Sequence, residues 1–160
     1  MALAVIDDKT AGATTLPRVL KAIRRRRGLS AAQVAQAMNM PLRSYQHFES
    51  GRGRLNPDRI HQFAKAVDAD GHAILVALHI GSTAFAVRCV DNKLMTILVM
   101  GVREFNDRSR DDLSRLDPHT LVSAFTQLFE SLSLKAREVE AYLERWMTDH
   151  ALHGPPDPED

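Results

Sequence analysis

Apolar residues along this chain recur in steps of three and four, the spacing that places side chains on one face of a helix. Leu16, Val19, Leu20 and Ile23 form the first such stripe. Pro17 stands at a suitable first helical position, and Arg24, Arg25, Arg26 and Arg27 gather where the helix dipole favours cations. Gly28 then marks the end. Ser30 predicts the cap of a second helix that turns Val34, Ala35 and Met38 inward. Asn39, one of the few residues that tolerates a left-handed conformation, leads into a third helix from Pro41 to about Ser50, closed by Gly51. Arg52 to Leu55 reads as a basic loop. Asn56 and Pro57 are a cap and first-position pair for a fourth helix, with Ile60, Phe63, Ala64 and Val67 on one side. A fifth helix includes Ala73 to Ile80.

The second half keeps the helical period. Ser82 caps a helix through Cys89, and Leu94 to Phe105 is apolar on nearly every side, which predicts a buried helix. Asp107 to Asp112 is a charged connector. Asp117 and Pro118 open a helix carrying Leu121, Val122, Phe125, Leu128 and Phe129; a last helix from about Leu134 to Leu152 carries Val139, Tyr142, Leu143, Trp146 and Met147. The fold class is therefore all-α. Residues 1–15 lack periodicity and read as a flexible N-terminal arm, 16–80 as a five-helix domain, and 81–153 as a helical C-terminal domain. The acidic, proline-rich stretch 154–160 reads as a disordered tail.

Composition narrows the function through charge. Between Pro17 and Ala66 there are eleven Lys and Arg against two acids, a net of +9; from Val67 onward the net is −7. A basic segment joined to an acidic one points to a polyanion as the partner of the first. No apolar run reaches the ~18 residues that suggest a membrane span, and the acidic N-terminus is unlike the basic start of a signal peptide. The single cysteine, Cys89, rules out an internal disulfide framework and fits a reducing compartment, so the expected location is the cytoplasm, on the nucleoid.

The segment LSAAQVAQAMNMPLRSYQHFESG carries the more particular signal. Val34, Ala35, Met38, Met40, Tyr45 and Phe48 are spaced to pin two helices across a short turn, with Ala35 small enough for close approach. Arg43, Ser44, Gln46, His47 and Ser50 are left on the outer face of the third helix. On Leu29–Ser30, Val34–Ala35, Met38, Met40, Phe48, Glu49-x-Gly51 and the FAKAV of the fourth helix, residues 16–70 resemble the Cro/cI-type helix-turn-helix family, also called the XRE family. Three positions depart from its pattern: Ala31 replaces a bracing Gln, Asn39 the turn Gly, and Tyr45 a Val or Ile.

The resemblance implies double-stranded DNA as partner, read by a helix in the major groove. Arg43, Ser44, Gln46 and His47 are the candidate base readers; Arg24, Arg27, Ser50, Arg52 and Arg54 are the candidate phosphate ligands. It further implies a transcriptional regulator, a repressor, that binds a palindromic operator as a homodimer. Phe125, Phe129, Tyr142 and Trp146 are the candidate dimer contacts. Two alternatives stand beside it: an antitoxin or antirepressor whose C-terminal half grips a partner protein, and a non-specific nucleoid-associated protein. No phosphate loop, HExxH or paired-cysteine motif is present, so no enzyme activity, cofactor or metal is expected. His72 with His79, and His150 with His153, sit at helical spacings, but two ligands make a poor metal site. A helical C-terminal half also lacks the β-rich Ser–Lys domain of self-cleaving repressors.

Overall fold

The computed structural model describes residues 8–152, with side chains described from Thr15 to Thr148. Residues 1–7 of the expected arm and the expected tail at 154–160 lie outside the described residues. The chain divides into two units, with the boundary between Arg108 and Ser109.

The first unit is built from α1 (Asp8–Arg26), α2 (Ala31–Ala37), α3 (Leu42–Glu49), α4 (Pro57–Ala66), α5 (Gly71–His79), α6 (Thr83–Arg88) and α7 (Leu94–Ser109). Val19, Leu20 and Ile23 of α1, Val34 of α2, Tyr45 of α3, Ile60 and Phe63 of α4 and Ile74 of α5 are fully buried together in one core. Local chemistry sets most helix ends. Gly28 takes φ +65°, and the amides of Gly28 and Leu29 donate back to the carbonyls of Arg25 and Arg24, which closes α1. Ser30 and Gln33 form a reciprocal capping box at α2. Asn39 adopts φ 51° in the turn between α2 and α3. The Asn56 side chain accepts from the Arg59 amide with Pro57 next to it, and Ser82 caps α6 through the Phe85 amide.

Three expectations change. α1 begins at Asp8, not at Pro17, which lies inside the helix. Proline costs a helix one backbone bond, yet the helix runs through it, and Thr15, expected in the arm, is buried in the unit beside Leu16. The compact unit also extends past residue 80. α6 packs on α1 and α5, burying Ala86, with Cys89 and Val90 just beyond it. Arg26 and Arg27 both pair with Asp91, and Lys93 with Asp68. Finally, α7 is not buried: Ile97, Met100, Val102 and Phe105 are all exposed. Apolarity all round states a demand for burial without supplying the partner that meets it.

What holds α7 to the unit is its first turn. The buried Asp70 carboxylate accepts from the Ala73 amide, capping α5, and from the Met95 and Thr96 amides and the Thr96 hydroxyl of α7. One carboxylate thus caps two helices. Burial pushes its pKa up, but the hydrogen bonds from Thr96, Ala73 and Met95 outweigh that, and the net shift is downward.

The second unit holds a short 3₁₀ turn, Arg110–Arg115, and α8, a 35-residue helix from Pro118 to Leu152. The two helices expected here are one. Between Glu130 and Leu134 there is no Gly or Pro to break it, and the Ser133 hydroxyl donates to the Phe129 carbonyl along the helix.

Asp70→Ala removes both caps and should lower unfolding stability by about 2–4 kcal/mol in urea titrations. Because the folded pKa is depressed, the wild-type contribution is complete above the usual carboxylate value near ~4 and fades as pH falls through the lower folded one. The difference between wild type and Asp70→Ala should shrink accordingly in acid; a constant difference would contradict the capping role.

Candidate nucleic-acid interface

α3 has two faces with different duties. Tyr45, Phe48 and Glu49 are buried, whereas Leu42, Arg43, Ser44, Gln46 and His47 are exposed. The inner face is anchored by aromatic contacts, with ring centroids 6.4 Å apart for Tyr45 and Phe48 and 6.3 Å for Phe48 and Phe63 of α4. Glu49 supplies the polar anchor. It accepts from Arg24 Nε at 2.6 Å, from Arg24 Nη2 at 3.3 Å and from the Tyr45 hydroxyl at 2.8 Å. Arg24 Nη1 donates to the Leu29 carbonyl at 3.1 Å, which extends the network to the end of α1. Burial first, and then the hydrogen bond to Glu49, push the Tyr45 hydroxyl pKa well upward. Gln62 of α4 donates to the Met38 carbonyl at 2.8 Å and steadies the turn that feeds α3.

The outer face lies beside further cations. Pro41, Arg43, Ser44, His47 and Arg59 line a shallow groove, and His47, Gly51, Gly53, Arg54, Asn56 and Arg59 border an adjoining cleft of about 170 Å³. Arg52, Arg54 and Arg59 are exposed on the loop after α3 and the first turn of α4. Among the described residues, Arg43, Arg52, Arg54 and Arg59 make no ion pair. Unpaired guanidiniums around a polar helix face can meet a polyanion without first breaking an internal contact.

Residues 16–75 match a family model described as a helix-turn-helix domain. This segment is a helix-turn-helix domain. No curated protein and no solved structure matches the chain. Within the matched segment α2 and α3 are the paired helices, and the match supports DNA binding in general.

The expected site residues divide in two. Arg43, Ser44, Gln46 and His47 are together on the exposed face, with Ser50, Arg52 and Arg54 following; the Ser50 hydroxyl donates to the His47 carbonyl. Arg24 and Arg27 are elsewhere. Arg24 is held by Glu49, while Arg27 donates to the Val67 and Asp68 carbonyls and pairs with Asp91, so both are engaged within the fold. Four consecutive arginines look alike in sequence; the acidic partners of Arg24, Arg26 and Arg27 lie 25 to 65 residues away. Arg59, outside the expected set, lies beside Arg43 and His47, and its place in the turn opened by Asn56 and Pro57 is a usable sequence signal. Among the described residues no three His, Cys, Asp or Glu groups are placed to hold a metal, and no helix is long and apolar enough to cross a membrane.

Arg24→Ala should lower stability by about 3 kcal/mol, toward the low end for a buried pair because part of the guanidinium reaches solvent. The folded variant should keep the salt dependence of DNA binding, measured by fluorescence anisotropy. A log–log salt slope reduced by about 1 would place Arg24 among the phosphate contacts.

Proposed function

We propose that this protein is a site-specific DNA-binding transcriptional regulator that acts as a repressor on a two-fold symmetric operator. The observation that carries the reading is the exposed Arg43, Ser44, Gln46 and His47 face of α3, held rigid from behind by Glu49 and flanked by unpaired arginines. A helix with this face fits the major groove, where Arg43 suits the O6 and N7 acceptors of guanine and Gln46 the adenine edge. Ser44 and His47 add base or phosphate contacts. Ser50, Arg52, Arg54 and Arg59 anchor the phosphates on either side and set the register of the helix.

One such domain reads few base pairs, so the operator is occupied by a dimer, with paired half-sites. The C-terminal unit, where Phe125, Phe129, Tyr142 and Trp146 are exposed, supplies the contact between copies. Repression then follows from occlusion of a promoter. The varied, polar outer face of α3 favours this reading over sequence-independent coating of DNA.

Selection of bound duplexes from a random-sequence pool with the full-length protein tests the proposal. Enrichment of a motif with two inverted half-sites is the expected result; a pool that stays random contradicts it. On the selected site, Arg43→Ala should cost about 1–3 kcal/mol and relax preference at one base pair per half-site. Arg54→Ala and Arg59→Ala should weaken selected and random duplexes alike and each reduce the salt slope by about 1. Equal losses on both duplexes for Arg43→Ala would reassign that residue to phosphate.

A further inference from the structure

Of the side chains described in α8, none is buried, and those facing solvent include Phe125, Phe129, Leu132, Tyr142 and Trp146. A helix supported mainly by its own backbone bonds is marginal in water, and most helical stability comes from packing an apolar face. The pattern of that face specifies what covers it. Val122, Phe129, Ala136 and Leu143 alternate with Phe125, Leu132, Val139 and Trp146 in unbroken steps of three and four. This is the a and d seam of a heptad repeat, and a strict seven-residue repeat favours left-handed supercoiling of paired helices. Moving the seam by one position, onto Leu121, Leu128 and Tyr142, would place Lys135 in it. The first register keeps charge out.

The flanks choose the partner and the direction. Lys135 is the charged residue at the g positions between Leu121 and Tyr142, and Glu140 at the e positions between Thr126 and Met147. In a parallel pair of identical helices, each g residue faces the e residue five places on in the other helix. Lys135 of each copy then meets the Glu140 of the other, twice by symmetry. Ala136, the smallest seam residue, lies beside this pair and lets the helices approach most closely there. An antiparallel pair aligned on the same layers sets g against g and e against e, bringing like charges together. Lys135 donates to Glu138 of its own helix at 2.8 Å, an exposed contact that is readily exchanged.

We propose that α8 pairs with a second copy of this chain as a parallel, in-register, two-stranded coiled coil across this seam. The inference rests on the dimeric reading above and gives it a geometry: the N-termini of the two α8 helices share one end of the coiled coil.

Sedimentation equilibrium on the full-length chain tests it, using Glu140→Lys, Lys135→Glu and the double charge swap, with helicity checked by circular dichroism. Each single change should weaken the dimer roughly tenfold, and the double swap should restore it, because exposed charge pairs act in small additive steps. A dimer of the same strength in all three variants would overturn the parallel seam while leaving the dimeric reading standing. A wild-type chain that stays monomeric at high micromolar concentration overturns both. Trimers or tetramers overturn the two-stranded arrangement.

Discussion

Glu49 holds α3 in place and so sets which of its residues face outward. It is one of two acidic residues in the basic stretch from Pro17 to Ala66, and it is buried there. Left alone, a carboxylate in that position would be strongly destabilising. It is tolerated because Arg24 and the Tyr45 hydroxyl satisfy it, and in satisfying it they fix α3 against α1. The inner face of α3 is thereby fully committed to Tyr45, Phe48 and Glu49. Its outer face is left to Arg43, Ser44, Gln46 and His47, which have no structural duty. A buried charge of this kind adds little net stability over an apolar substitute; what it contributes is orientation. For the base-reading role proposed for α3, orientation is the property that matters most.

Asp70 does a related job further along the chain. By capping α5 and α7 with one carboxylate, it continues the DNA-binding unit into the helix that leads toward the C-terminal unit. The arginine run, Asp91, Lys93 and Asp68 form a second set of contacts at the same end of the unit. These ion pairs are partly exposed, and each contributes little alone. With the Glu49 pair, they engage the arginines at 24, 26 and 27 inside the unit, whereas Arg52, Arg54 and Arg59, on the loop after α3 and the start of α4, make no ion pair among the described residues.

Much of this was legible in the sequence. Gly28, Ser30, Asn39, Asn56 and Ser82 each act through neighbours within a few residues, so a local reading finds them. The core stripe and the outer face of α3 follow from helical periodicity alone. The fate of Arg24 and Arg27 was not legible, because it depends on Glu49, Val67 and Asp91, which only the folded chain brings near. Asp70 shows both cases: its cap on α5 is local, while its bonds to Met95 and Thr96 span 25 and 26 residues. The burial expected for Leu94 to Phe105 failed for a different reason. Periodicity and apolarity report what a helix needs covered, and they are silent on whether the same unit covers it.

The function proposed above requires DNA to meet the outer face of α3 and the cations that follow it. Chemical-shift changes of the backbone amides and of the arginine Nε–H groups in the full-length protein, recorded as a short duplex is titrated in, test this. Changes concentrated between Pro41 and Arg59 are expected, with the Arg24 and Arg27 side-chain signals unmoved and α8 silent. Changes centred on α7 or α8, or on the side chains of Arg24 and Arg27, with α3 unaffected, would contradict it.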